Sequence, residues 1–209
     1  MSQPSPRRRR PRTKISADWL ERVALAHLQR FSSSSENLRR VLDRRIYKVA
    51  RAAHHAAEEQ DPGSGEAARE AILAAGAELL PPLIERYVSS GLLNDQAYAE
   101  GRARALHRQG HPARAIQARL RAKGVPPEVI EGALAALEEA RGDGPSPELE
   151  AAILRARRKR LGPYRADSDR ADRRQRDLAA LARAGFSFDI ARQVIDAEDR
   201  DTLEEILFG

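Results

Sequence analysis

Apolar residues recur at spacings of three and four almost throughout the chain, a period that predicts helices rather than strands. Trp19, Leu20, Val23, Ala24, Leu28 and Phe31 form a first stripe, and Leu38, Val41, Leu42, Ile46 and Val49 a second. Between them Ser33 and Glu36 stand in the order of a capping box, which predicts the start of the second helix. The stretch from His54 to Glu70 contains Asp61-Pro62-Gly63-Ser64-Gly65, a flexible break. Pro81-Pro82 then divides an Ala-rich helix from a short one that carries Leu83, Ile84, Tyr87 and Val88 and stops at Gly91. No window alternates with period two over the length of a strand, so the expected fold class is all-α.

Beyond Asn94 the punctuation becomes regular. A helix from about Asp95 to Gln109 ends at Gly110, Pro112 opens one that ends at Gly124, and Pro126 or Pro127 opens a third that reaches the linker Gly142-Asp143-Gly144-Pro145. The pattern then repeats. A helix from Pro147 ends at Gly162-Pro163, a loop over Tyr164 to Asp169 leads to a helix ending at Gly185, and Ser187 caps a third that fades near Ala197. Laying Gly124 on Gly185 sets Leu120 on Leu181, Val125 on Phe186, Val129 on Ile190, Ala133 on Val194 and Leu134 on Ile195. In the first section Leu42 and Tyr47 occupy the places of Leu120 and Val125, without the glycine. The expected architecture is an elongated tandem array of three three-helix repeats: 16–92 with an insertion near 51–75, 93–141, and 147–209. A disordered Arg-rich arm, residues 1–15, precedes them.

Charge refines this picture. The net charge of the 209 residues is +6, and Arg7 to Arg10, Arg12 and Lys14 account for all of it, so the body is formally neutral. Within the body the charges are sorted: +4 over 36–51, −7 over 58–100, +7 over 101–127, −6 over 128–150, +7 over 155–176 and −5 over 189–209. The middle helix of every repeat is the basic one. Arg39, Arg40, Arg44 and Arg45 make the first patch. Arg102, Arg104, Arg108, Arg114, Arg119, Arg121 and Lys123 make the second, and Arg155, Arg157, Arg158, Lys159, Arg160, Arg173, Arg174 and Arg176 the third. Any one arginine is most simply a solvated surface residue in a chain with 33 Arg and 4 Lys, but segregation of sign by repeat points to an anionic partner. With nine aromatics, mostly needed for cores, little is left for stacking on bases.

Reactive chemistry is sparse. The absence of cysteine removes disulfides, thiolate nucleophiles and Cys-based metal sites and fits a reducing cytoplasm. No apolar run approaches the roughly 18 residues of a membrane span. Gly63-Ser64-Gly65 and Gly142-Asp143-Gly144 lack the context of a phosphate-binding loop. His107 and His111 have the i, i+4 spacing of a metal pair, but Gly110 and Pro112 break the helical face they would share. No catalytic residue, metal or cofactor is expected.

The second repeat resembles a known family. Gly91-Leu92-Leu93-Asn94-Asp95-Gln96-Ala97-Tyr98-Ala99, then Gly110-His111-Pro112-Ala113-Arg114-Ala115-Ile116, then Leu120-Arg121-Ala122-Lys123-Gly124-Val125 with Ile130, resembles the RecX family of bacterial regulatory proteins. Arg173-Arg174 and Leu181 to Phe188 extend the likeness into the third repeat, and it covers about 17–197. The resemblance implies a negative regulator that binds the RecA recombinase filament on single-stranded DNA; a monomer is expected by default, because an array with two different ends need not close on itself, and a cytoplasmic one from the lack of cysteine. It implies inhibition of filament growth, ATP hydrolysis, strand exchange and coprotease activity. The residues expected to touch the filament or DNA are Arg39, Arg40, Arg44, Arg45, Arg104, Arg108, Arg114, Arg119, Arg121, Lys123, Arg157, Arg158, Lys159, Arg173 and Arg174. The alternative is a non-catalytic helical DNA-binding protein acting through the phosphate backbone.

Overall fold

The computed structural model describes residues 13–142 and 144–208, which form helices and turns in two compact bodies divided after Asn94. The Arg-rich arm expected over 1–15 lies outside the described residues up to position 12.

The N-terminal body holds α1 (Ala17–Leu28), α2 (Ser35–Gln60) and α3 (Gly65–Ser89). Ser16 starts α1 by accepting the Trp19 N–H at 3.3 Å. The cap of α2 falls one residue later than the sequence suggests. Ser34 accepts the Asn37 N–H at 3.2 Å, while the buried Ser33 hydroxyl accepts from the Asn37 side-chain amide at 2.6 Å. Glu36 does not reach back to close a capping box because it is drawn forward, accepting from Arg40 at 2.9 Å.

The stretch near 51–75, expected as an insertion, is largely helical: residues 51–60 prolong α2 and 65–75 open α3, and 61–64 form the turn of a long helical hairpin. Glu58 closes that turn by accepting the N–H groups of Gly63 and Gly65, each at 3.0 Å, and these bonds hold its carboxyl below the usual range. Gly76 lets the two helices meet, since a Cβ there would stand 2.7 Å from the Ile46 side chain. Contrary to expectation, Pro81 and Pro82 do not break the helix. Ile72, Gly76, Leu80, Leu83 and Tyr87 continue one buried stripe on both sides of them. Each proline removes a helical donor, but the carbonyls left without it belong to the exposed Ala77 and Glu78, where water replaces the bond. Burial of Leu83, about 1.5–3 kcal/mol, together with that of Tyr87 offsets part of what the prolines cost and holds the helix beyond them against the body.

The second body begins with α4 (Asp95–Arg108), α5 (Ala113–Ala122) and α6 (Pro127–Glu139), around Ala99, Ala103, Leu106, Ile116, Leu120, Val125, Ile130 and Ala133. It continues with α7 (Pro147–Lys159), a 3₁₀ turn (Gly162–Tyr164), α8 (Asp167–Ala184) and α9 (Phe188–Ile195). The loop expected over 164–169 is thus shorter, with α8 starting at Asp167. The buried Asp177 of α8 explains the compaction: it accepts from the Gly162 N–H at 2.9 Å and binds Arg165 through both oxygens, at 2.7 and 2.8 Å. Burial opposes the charge on Asp177, but these partners outweigh it and hold its pKa below the ordinary value. The helix capped by Ser187 ends at Ile195, close to the expected Ala197, and the chain then folds once more. A tenth helix, α10 (Arg200–Phe208), packs on α7 through the buried Leu203, and Asp199 accepts the Thr202 N–H at 2.8 Å at its start.

One closing pattern recurs. After α4, α5 and α8 a left-handed glycine, Gly110, Gly124 or Gly185, bonds its N–H three residues back, and the next residue bonds five residues back to Leu106, Leu120 or Leu181. After α7 the same bonds form around Arg160, whose φ of 53° is the one positive value at a non-glycine position among the described residues. An L side chain there costs roughly 1–2 kcal/mol. Arg160→Gly is therefore expected to raise stability by about 0.5–1 kcal/mol, less than the full strain because glycine also loosens the unfolded chain. Urea unfolding of the two proteins checks it, a variant no more stable than the parent being the contrary result.

Candidate polyanion interface

The candidate site is built where α4, α5 and α7 meet in the second body. Gly110 ends α4 with φ +73°, and a Cβ on it would lie 2.7 Å from the backbone N of Arg155 and 2.9 Å from the Ala151 carbonyl oxygen. Only a glycine lets this turn rest on the α7 backbone. Arg158 then donates to the Gln109 carbonyl at 2.9 Å, and the Glu148 carboxylate accepts the Ala113 N–H at 3.0 Å, capping α5 from another helix. Beside them His107 Nε2 meets the Pro147 carbonyl oxygen at 2.8 Å, and Glu150 takes Arg141 at 3.1 Å. The acids at the start of α7 are thereby engaged, while its last turn carries Arg157, Arg158 and Lys159.

With the turn so fixed, Arg102 of α4, Arg119 of α5, and Arg155 and Arg158 of α7 lie near enough to His111 of the turn to act on its charge, which makes a cluster of five basic groups. Burial pushes the His111 pKa down, and Arg119, Arg155, Arg158 and Arg102 push it further. The half-buried Arg155 is lowered as well, by burial first and then by Arg158 and Arg119. No carboxylate counters either shift. Such a cluster is a preformed acceptor for an anion, because a phosphate or carboxylate entering it meets several guanidinium forks with no acid to displace.

The fifteen residues expected to make contact divide. Arg39 and Arg40 share Glu36, Arg104 pairs with Glu100 at 3.5 Å, Arg157 lies 4.0 Å from Glu204, and Arg174 forms a bidentate pair with Asp196 at 2.6 and 2.7 Å. Arg44, Arg45, Arg108, Arg114, Arg121 and Lys159 are exposed, with no hydrogen-bonded or ion-paired acid among the described residues. Lys123 is exposed too, and Arg173 lies close enough to Asp177 to lower its pKa. Only Arg119 and Arg158 of the fifteen belong to the cluster. Arg102 and Arg155, which the sequence shows as basic residues of the patches but does not single out as contacts, join them, and so does His111, whose spacing from His107 suggests only a metal pair. Among the described residues no group of three or more His, Asp or Glu is placed to hold a metal ion, and no helix is long and apolar enough to cross a membrane.

The His111 shift sets a pH dependence. Its native pKa lies below the ordinary value near 6.5, so on acidification the unfolded chain takes up a proton that the native chain still refuses. The stability this group contributes is present above about pH 6.5 and is lost as the pH falls toward the native pKa. In His111→Gln that loss is absent, and urea midpoints measured from pH 7.5 to 5 should fall less steeply than in the parent; parallel curves would remove His111 from the cluster.

The family model described as RecX, second three-helix domain, matches residues 94–134, which contain α4, α5 and the first part of α6. The chain is 42% identical over 190 residues, 90% of each protein, to the regulatory protein RecX of Myxococcus xanthus. It is 37% identical over 115 residues to that of Agrobacterium fabrum, covering 55% of this chain and 57% of the relative. To that of Trichlorobacter lovleyi it is 36% identical over 122 residues, 57% of this chain and 75% of the relative. No solved structure matches.

Proposed function

The chain belongs to the RecX family of regulatory proteins, and from that premise we propose that it is a negative regulator of the RecA recombinase, binding the filament that RecA forms on single-stranded DNA. In this reading it restrains filament growth and with it ATP hydrolysis, strand exchange and coprotease activity, and it works in the cytoplasm as a non-catalytic monomer. The three-helix repeats 16–92, 93–141 and 147–209 supply the binding faces. The observation that carries the reading at the level of residues is the five-membered basic cluster, held by a turn that admits no side chain at Gly110. Its guanidinium groups suit an anionic partner, be it acidic side chains on the filament or the enclosed phosphate backbone, with no carboxylate acting on His111 or Arg155. The exposed Arg108, Arg114 and Arg121 extend that surface along α4 and α5.

The test is DNA-dependent ATP hydrolysis by the cognate recombinase during titration of this protein below one per recombinase. Inhibition is expected where binding to bare DNA is negligible. Arg102→Glu combined with Arg119→Glu, both at exposed positions, should raise the half-inhibitory concentration about 10-fold or more, which corresponds to about 1.4 kcal/mol, without loss of helicity. Inhibition unchanged in the double variant would take the cluster out of the role, and no inhibition by the parent would overturn the filament reading.

A second reading, a backbone-binding DNA protein, is favoured by the half-buried Arg155, which faces like charges and would gain most from a phosphate. It is separated from the first by salt. Binding to bare single strands would weaken with a log–log slope of about −0.7 for every phosphate contacted. Deleting residues 1–14 would remove much of that affinity and leave filament inhibition in place.

A further inference from the structure

The N-terminal body carries a second feature, unrelated to the cluster on α4, α5 and α7. Between α1 and the first half of α2 runs a groove of about 430 Å³. Trp19, Val23, His27, Phe31 and Val41 give it an apolar, largely aromatic floor, and Arg22, Arg30 and Arg45 stand around it with no acid in the lining. Two acids of these helices are engaged outside it: Glu21 binds Arg86 at 2.8 Å and Glu36 binds Arg40 at 2.9 Å.

The aromatic part is open. Phe31 is 54% exposed, although its ring could have been covered by the chain that turns just beyond α1. The His27 ring lies 5.3 Å from it, centroid to centroid, tilted by 39°, and the Arg30 guanidinium sits 5.5 Å from the same centroid. Two planar π-faces and a guanidinium plane are thus gathered at one end of a groove rimmed by two more arginines.

Guanidinium groups with no acid in the lining call for an anion, and the exposed face of Phe31 calls for another planar group. One ligand class offers both at a spacing of a few ångströms, a nucleotide whose base is unstacked from its own helix. A duplex keeps its base faces covered, so the class narrows to single strands. The N-terminal arm is excluded as the occupant, because Arg7 to Arg10 and Arg12 repeat the charge of the rim. We propose that the α1–α2 groove binds single-stranded nucleic acid, stacking a base against Phe31 and His27 and seating flanking phosphates on Arg22, Arg30 and Arg45.

Trp19, the one tryptophan of the chain, lines the groove and serves as the reporter. The full-length protein is titrated with a 15-nucleotide oligothymidylate, with an abasic oligomer of equal length and charge, and with a poly-glutamate peptide, while Trp19 emission is followed. The expected result is saturable quenching by oligothymidylate, with affinity for the abasic oligomer lower by about 10-fold, in the range measured for a stacked base. Phe31→Ala should weaken the oligothymidylate by a similar factor and Phe31→Tyr should restore it, a pattern that a folding defect does not produce. Equal affinity for the abasic oligomer would overturn the proposal, as would unchanged Trp19 emission at saturating oligonucleotide. Quenching by poly-glutamate alone would also overturn it and make the groove a site for an acidic protein segment. Recombinase inhibition does not enter the readout, so this proposal and the filament reading fail separately.

Discussion

Everything distinctive in the second body depends on how closely the turn after α4 approaches the α7 backbone. With a Cβ excluded at Gly110 by the Arg155 amide and the Ala151 carbonyl, the turn has one seat. The groups around it are spent on holding that seat: Arg158 on the Gln109 carbonyl, Glu148 on the start of α5, and His107 on the Pro147 carbonyl. Close-packed backbone is stiff. Three helices become one platform, which fixes the backbone positions from which the like charges project and ties Arg158 to the turn. The half-buried Arg155 is the clearest sign of this, since its environment disfavours the charge that it carries.

The same geometry sorts the ordinary from the functional in the charge blocks. The sign of the sequence changes within α4 and again within α7, from acids in the first turn to bases in the last. A helix macrodipole favours that order in any helix, so much of the alternation needs no partner to explain it. Convergence is another matter. Arg102 in the middle of α4 and Arg155 and Arg158 of α7 stand beside the basic α5, whose first turn has no acid of its own and borrows Glu148 in trans. A dipole acts within one helix and does not bring basic groups of three helices together, so the cluster is the part of the pattern that calls for an anionic ligand.

These distinctions also explain what could be read in the sequence. The helix ends at Gly110, Gly124 and Gly185 were legible because a left-handed closing residue is a local requirement, and the alignment of Leu120 on Leu181 holds in the paired bonds at those ends. Local reasoning misled at Pro81-Pro82, where a buried stripe decided over propensity, and at α10, where many acids hid the spacing of Leu203, Ile206 and Leu207. The cluster was only half legible. Arg102, Arg119 and Arg155 are far apart in the chain, and their meeting depends on the register of α5 against α7, which no period in the sequence encodes.

The aromatic residues divide in a way that bears on how the protein works. Of the nine, Tyr87 and Phe186 are buried in the cores, and Trp19, Tyr98 and Tyr164 pack against them partly buried, as a chain poor in aromatics is expected to spend them. The rest of the cores is filled by Leu, Ile and Val together with many alanines, among them Ala99, Ala103, Ala133, Ala151, Ala152, Ala156 and Ala191, all of them buried. Phe31, Tyr47, Phe188 and Phe208 are each more than half exposed. An exposed ring gains nothing from the fold, and a large apolar side chain left in water costs solubility. At Phe31, where the ring is joined by His27 and bordered by arginines without acids, that cost is offset only when a planar, anionic ligand covers it.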